Sequence, residues 1–269
     1  IGQTYSTFVW SPNVAKGKID TIFDGTLHEI HYFTSEQAML EGLVQFFMDE
    51  GPDLLVGWNL MRFDLMYLIN RMPQVRVDAN LLSPMKFVIA HAAKDLQIKG
   101  LSLADLYDVY RRFASSGEES YKLDFIARKV VGEGKTESDN NVRYLWKNDL
   151  NRLIEYNATD VKLTRRIDEK LQLTDFLDEM RRMAFCRLED TMTISRLSDA
   201  YILKTFHNRF VFPTKEKHEH KDFEGALVRS WAKGIYDKVA VFDVKSLYPS
   251  VIVSANLSPE TFLSDEDPV

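Results

Sequence analysis

The chain has one cysteine, Cys186, in 269 residues. An internal disulfide is therefore excluded. Cys186 sits in an apolar stretch that reads as helical, where it is expected to be a small core residue, and a reducing cytoplasm suits it. Six histidines and that cysteine make no zinc pattern. His218 and His220 fall in the charged run 215–222, which reads as a solvated loop. No apolar run is long enough to cross a bilayer. The opening residues Ile1-Gly2-Gln3-Thr4-Tyr5 lack the charged start and apolar middle of a secretory signal. No membrane partner is expected, and there is no internal repeat or low-complexity tract. Positive charge is not in surplus either: 34 Lys and Arg stand against 40 Asp and Glu, a net charge of −6. That balance argues against a protein that binds nucleic acid by bulk electrostatics. It leaves room for an enzyme that holds nucleic acid in a local groove and binds metal ions there through carboxylates.

What is present is an ordinary globular composition, 45% apolar, in a chain long enough for two domains. Residues 1–10 read as a strand. A turn-rich segment with Lys16-Gly17-Lys18 follows, then a second strand at 28–33. Thr34-Ser35-Glu36-Gln37 has the form of a capping box with Thr34 at the N-cap. Leu40, Leu43, Val44 and Phe47 recur at helical spacing until Gly51-Pro52 stops them. Residues 53–57 form a short apolar strand, and Leu65, Leu68, Ile69 and Met72 mark a helix ending before Pro73. Residues 75–100 carry no clear pattern. Residues 116–119 read as a loop, 121–131 as a helix, and Gly132-Glu133-Gly134-Lys135 as a flexible turn. Residues 149–210 are helical almost throughout. Pro213 and the charged run make a linker, and 239–244 read as a buried strand opening a second domain. Alternating strands and helices predict an α/β layered domain.

Three constellations carry chemistry. Trp58-Asn59-Leu60-Met61-Arg62-Phe63-Asp64 lies where a strand ends and a helix starts, the place where ligand groups gather in α/β sheets. Asp64 falls in the first helical turn, favoured there by the helix dipole; for an isolated Asp, simple capping is the more ordinary role. In Tyr156-Asn157-Ala158-Thr159-Asp160, the residues Leu153, Tyr156, Asp160, Leu163 and Ile167 form one helical stripe. A carboxylate in that stripe is costly unless partnered, either by a divalent cation or by an Arg such as Arg165 or Arg166. In Val241-Phe242-Asp243-Val244-Lys245-Ser246-Leu247-Tyr248-Pro249-Ser250, an apolar strand delivers Asp243 to a tight turn holding Pro249 and Ser250. There the carboxylate either ligates Mg²⁺ beside a phosphate or simply ends the strand.

Together these segments resemble the family-B (alpha-like) DNA polymerases. Asn59 to Asp64 matches the family's second exonuclease motif, Asn-x-x-x-Phe-Asp, and Tyr156 to Asp160 matches the third, Tyr-x-x-x-Asp. Asp243 to Ser250 matches polymerase motif A, and the likeness runs on through Asn256-Leu257-Ser258-Pro259-Glu260-Thr261. Phe223-Glu224-Gly225-Ala226 is similar to the short element joining exonuclease to palm, with Phe in place of the usual Tyr. Asp105-Leu106-Tyr107 and Tyr121-Lys122-Leu123 are further landmarks. The family's first exonuclease motif, Asp-Ile-Glu, is absent from these residues, as are the fingers and the second palm carboxylate. A fragment, a split subunit and a degenerate relative all fit.

The resemblance implies an RNase-H-like (DnaQ-like) α/β exonuclease domain with a mixed sheet over 1–172. A helical connector would follow over 173–215, and the first part of a polymerase palm over 216–269. It implies paired Mg²⁺ or Mn²⁺ ions in each site. Asp64 and Asp160 would be metal ligands, and Tyr156 would orient the attacking water. Asn59 and Phe63 would contact a single-stranded 3′ end. Asp243 and the Val244 carbonyl would bind the polymerase metals, with Gly225 on the DNA side. Backbone groups of Ser246 and Leu247 would meet a dNTP, and Tyr248 would reject a ribose 2′-OH. Implied partners are a DNA primer-template and a second chain carrying the remaining polymerase parts. The expected location is the cytoplasm or nucleoid, or the nucleus in a eukaryote. Asp64 and Asp160 are expected close together at one edge of a central mixed sheet. A binding or assembly module without catalysis is the alternative.

Overall fold

Asp24 and Gly25 both take positive φ, 52° and 72°, and turn the chain tightly between strands β2 (Gly17–Phe23) and β3 (Thr26–Phe33). Such two-residue Asp-Gly loops match the twist of antiparallel strands. The computed structural model describes residues 4–12, 14–114, 117–135, 142–212, 214, 225, 227, 229, 233–258 and 261. The chain divides into two units, Ile1–Pro213 and Thr214–Val269.

In the first unit, β1 (Thr4–Trp10) runs parallel to β3 and β2 antiparallel to it, in the order β1-β3-β2. Tyr5, Thr7 and Val9 alternate inward along β1, as a half-buried strand requires. The turn-rich reading of 16–18 missed β2. Its residues are exposed on both faces, Ile19 and Ile22 among them, so no alternation marks it. Helix α1 (Glu36–Glu50) is capped by Ser35, whose Oγ accepts the Ala38 N–H at 3.1 Å. The cap is thus one residue beyond the expected Thr34; both hydroxyls are competent caps, so the pattern alone cannot choose. Gly51, at φ 53°, ends the helix as expected.

Strand β4 (Leu54–Gly57) feeds α2 (Asp64–Arg71). Two-residue strands β5 (Val88–Ile89) and β6 (Gln97–Ile98) pair antiparallel, and β7 (Ser102–Asp105) runs parallel to β4. Residues 75–100 were illegible because their elements are too short to show a period: 3₁₀ turns over Met72–Val75 and Ala79–Leu82, then β5 and β6. Leu40, Val44, Leu65, Ile69, Met72 and Leu82 form the core beneath them.

A second core is helical. It joins α3 (Leu106–Val109), α4 (Leu123–Val130), α6 (Leu150–Leu171) and α7 (Leu173–Ala184) through Leu106, Ile126, Leu163, Ile167 and Leu177. Helix α5 (Val142–Asn148) precedes α6, and α8 (Ile194–Phe206) follows α7. The buried stripe of α6 is Ile154, Ala158, Leu163 and Ile167. It is rotated from the expected stripe because Ile154 packs on Val9 and Ile30 of the first sheet. Leu153, Tyr156 and Asp160 are left at its half-buried edge. Cys186 follows α7 rather than lying within a helix, and is half-buried.

The unit is α/β with small sheets, the three-stranded one mixed, consistent with an RNase-H-like fold. The single central sheet expected from the sequence is divided into three. Among the described residues no helix is long and apolar enough to cross a membrane.

In the second unit the described residues form one helix, α9 (Leu247–Ser254). The buried strand expected at 239–244 is not there: Val241 is 87% and Phe242 92% exposed. A strand needs a neighbour for its N–H and C=O groups, whereas a helix satisfies its own. Pro249 and Ser250 lie in the first turns of α9 rather than in a tight turn. Pro is tolerated there because its missing N–H would have no intrahelical partner. The linker signals, Pro213 and residues 215–222, lie outside the described residues.

Candidate functional site

The site begins with a close approach. A Cβ at Gly57, the last residue of β4, would meet the Leu60 Cβ at 2.9 Å, so glycine lets the chain fold back at once. Asn59 then takes φ 61°, a conformation Asn tolerates better than most residues. The N–H of Phe63 donates to the Asn59 carbonyl at 3.1 Å and that of Leu65 to Leu60 at 2.9 Å. This winding leads into α2 and sets Asp64 as its first residue, at the positive end of the helix. Phe63, beside it, is 68% exposed.

Asp105 braces this loop from the end of β7. It is buried, and its Oδ1 accepts the Asn59 N–H at 2.8 Å while its Oδ2 accepts that of Met61 at 3.1 Å. Its Oδ1 also caps α3 through Tyr107 N–H at 3.2 Å. Arg62 pairs with Asp108 at 2.9 Å and lies over the Tyr107 ring. The Trp58 indole N–H donates to the Tyr121 carbonyl at 3.1 Å, tying the same loop to the segment before α4.

The second half comes from α6. Tyr156 and Asp160 are one turn apart and both meet Lys135. The Lys135 Nζ lies 2.6 Å from Asp160 Oδ1, donates to the Tyr156 hydroxyl at 2.9 Å, and sits 4.5 Å from the centre of its ring. Asp160's partner is therefore Lys135 and not an arginine. Arg165 pairs with Glu169, and Arg166 with Asp24 and Glu133. The Lys135 backbone is fixed as well: its N–H donates to Asp124 Oδ1 and its carbonyl accepts from Arg128.

Electrostatics join the halves. Desolvation, the largest influence, raises the Asp64 carboxyl above the ordinary range, and the negative charges of Asp105 and Asp160 raise it further. Asp160 is the smallest of these influences on Asp64, and Asp160 itself responds to Lys135 and Asp124. Burial also raises Asp160, the Lys135 ammonium offsetting part of that, and Asp124 adds repulsion. Lys135 is lowered by burial but ends above its usual value because Asp160 and Tyr156 hold its proton. Crowded like charges of hard oxygen are what a divalent cation relieves. Here Lys135 already supplies a cation to Asp160. Among the described residues no group of three or more His, Cys, Asp or Glu stands ready to hold a metal ion.

Sequence reasoning missed Lys135, read as part of a flexible turn; nothing in a lone Lys after Gly-x-Gly marks it. Asp105 was noticed as a landmark without a role. Asp243, Val244, Ser246, Leu247 and Tyr248 belong to the second unit and are exposed. Ser246, at φ 52°, precedes α9, and Ser250 N–H donates to its carbonyl at 2.9 Å. Asn256, also at φ 52°, closes the helix, with Thr261 Oγ1 donating to its carbonyl. Gly225 is exposed, while Phe223, Glu224 and Ala226 lie outside the described residues.

The α/β unit, with its small sheets and a strand–helix junction leading into α2, is consistent with an RNase-H-like fold. The comparisons give the family. The model "DNA polymerase family B, exonuclease domain" matches residues 11–126, and "DNA polymerase family B" matches 191–269. The chain is similar to the DNA-directed DNA polymerase of Escherichia phage RB69, 29% identical over 239 residues, which is 85% of this chain and 26% of that protein. Against that of Enterobacteria phage T4 it is 28% identical over 244 residues, 85% of this chain and 27% of that protein. Against DNA polymerase II of Escherichia coli it is 25% identical over 243 residues, 86% of this chain and 31% of that protein. The chain belongs to DNA polymerase family B. It spans about a quarter to a third of the length of these relatives.

Proposed function

We propose that this chain is the proofreading part and palm opening of a DNA-directed DNA polymerase. Residues 1–172 would form the 3′→5′ exonuclease, 173–215 the connector and 216–269 the start of the palm. One observation carries the reading. Lys135 clasps both Asp160 and Tyr156 on α6, while Asp64, first residue of α2, has a carboxyl raised by burial and by the negative charges of Asp105 and Asp160.

Asp64 and Asp160 would hold Mg²⁺ or Mn²⁺, which supplies charge stabilisation and an acidified water for phosphodiester hydrolysis when bound. A two-metal site needs further ligands beyond these two carboxylates. The Tyr156 hydroxyl orients the attacking water. Lys135, held by Tyr156 and Asp160, carries the positive charge that meets the scissile phosphate. Phe63, exposed next to Asp64, offers a ring on which the terminal base of a frayed single strand stacks; Asn59 shapes the same pocket. In the complete palm, Asp243 and the Val244 carbonyl would bind metal, and the Ser246 and Leu247 N–H groups the triphosphate of a dNTP. Tyr248 would sit against the sugar, and Gly225 would lie near the primer-template.

The test is degradation of 5′-labelled single-stranded DNA with Mg²⁺ or Mn²⁺. It uses this chain and the same chain extended upstream to an Asp-x-Glu strand. Activity is expected to be weak in the first and strong in the second. It should fall by orders of magnitude in Asp64→Ala or Asp160→Ala, and less in Tyr156→Phe. Robust degradation that survives Asp160→Ala would place the site elsewhere. The second reading is a non-catalytic DNA-binding or assembly module, favoured by the Lys135 ammonium standing where a cation would neutralise Asp160. It predicts DNA binding without degradation in both forms.

A further inference from the structure

Asp105 is buried to 4% exposure, and among the described residues its one ion-pair partner is the Arg62 guanidinium, at 3.9 Å. A buried carboxylate is expensive unless its oxygens are satisfied. Here backbone N–H groups satisfy them, and two of those three belong to one short loop. Oδ1 takes Asn59, Oδ2 takes Met61, and Oδ1 also takes Tyr107 at the start of α3. The loop it grips is the one that sets Asp64. Asn59 is left-handed, and its carbonyl in turn accepts the Phe63 N–H, the residue before Asp64. Gly57 and Asp105 are register partners across β4 and β7, so the brace springs from the strand pair itself.

We propose that Asp105 is a positioning residue that fixes the 59–63 loop and so aims Asp64 at the ion site it shares with Asp160. This rests on the exonuclease reading above. Both oxygens of Asp105 are committed to N–H donors, so it braces the site without ligating the ion. A carboxylate suits the task because both of its oxygens accept. An Asn in its place turns an NH₂ donor toward one of the loop's N–H groups and loses that bond. The expected consequence is a loop that still forms but wanders, which weakens ion binding out of proportion to any loss of fold.

The experiment compares the full chain with Asp105→Asn and with Asp168→Asn. Asp168 is a control of similar chemistry: it accepts the Thr174 N–H at 3.0 Å and the Thr174 hydroxyl at 2.7 Å. It stands eight residues along α6 from Asp160, about 12 Å away at 1.5 Å per residue. Three quantities are measured: the melting temperature, hydrogen exchange of the Asn59 and Met61 amides, and the dissociation constant for Mn²⁺. For Asp105→Asn we expect a cooperative melt, exchange of those two amides faster by at least tenfold, and Mn²⁺ binding weaker by at least fivefold. For Asp168→Asn we expect a comparable change in melting with both other readouts at parent values. Mn²⁺ affinity that falls equally in both variants, or that stays unchanged in Asp105→Asn, overturns the proposal while leaving the exonuclease reading intact. If Asp105→Asn does not fold, Asp105→Glu, which keeps the charge and both acceptors on a longer arm, is measured on the same criteria. If the parent chain binds no Mn²⁺, the same measurements are made on the chain extended upstream to the Asp-x-Glu strand; no Mn²⁺ binding there overturns the exonuclease reading, and the exchange of Asn59 and Met61 then decides alone whether Asp105 holds the loop.

Discussion

Asp160 and Asp243 are both motif carboxylates, yet their surroundings differ in kind. Asp160 rides on a helix whose next turns bury Leu163 and Ile167, and its charge meets Lys135 at 2.6 Å. Asp243 lies in a stretch without regular structure, and its neighbours Phe242 and Val244 are exposed. The contrast follows from what each element needs. Helices α6 and α9 close their own hydrogen bonds and form in either unit. A stretch such as 239–244 becomes a strand only when another strand lies beside it. Motif residues on helices and strand–helix junctions are therefore set by local geometry, whereas a motif on a strand depends on the sheet around it.

The comparison breaks first on stability. Leu163→Ala, one turn from Asp160 and fully buried, is expected to cost about 2–5 kcal/mol in urea unfolding. If it costs no more than a surface change, the helical core is not what holds the site. A smaller effect is expected from Lys135→Met. The Lys135–Asp160 pair is partly exposed, so the loss is about 1 kcal/mol. Degradation of single-stranded DNA by the upstream-extended chain should fall much further than stability does, and equal, small losses in both would reduce Lys135 to a structural role.

Asp64→Asn sharpens the comparison through pH. The Asp64 carboxyl is raised in the folded chain by desolvation, Asp105 and Asp160. Folding therefore favours its protonated form, and the charged form detracts from stability at neutral pH. The penalty is relieved as pH falls through the raised folded value. Asp64→Asn should thus melt slightly higher than the parent at neutral pH, and the gain should vanish on acidification. A gain that grows with acid has the wrong sign for this account. Smallest of all is Phe242→Ala in the second unit. With its ring 92% exposed, it should shift unfolding by less than about 0.5 kcal/mol; a larger loss would reveal packing around motif A.

Much of this was legible in the sequence. Leu40, Val44 and Gly51 announced α1, and the strand–helix junction announced the place of Asp64, because both depend on neighbours a few residues away. The shift from Thr34 to Ser35 at the cap shows the limit: two adjacent hydroxyls satisfy the same rule. β2 was hidden because an edge strand open on both faces carries no alternation. The partner of Asp160 was hidden for a deeper reason. Arg165 and Arg166 are near in sequence but are drawn off by Glu169, Asp24 and Glu133. Lys135 arrives from 25 residues upstream, through a turn held by Asp124 and Arg128. The role of Asp105 was likewise a tertiary fact, since its hydrogen bonds to Asn59 and Met61 span more than 40 residues.

The central claim is that Asp64 and Asp160 share one divalent-ion site. Titration of the isotopically labelled chain with substoichiometric Mn²⁺ tests it most directly, since the ion broadens nearby amide resonances. The account predicts that the amides of Asp64 and Asp160 broaden together, and that either Asp64→Ala or Asp160→Ala abolishes both effects. Broadening at only one of the two, or at both after Asp160→Ala, would contradict it.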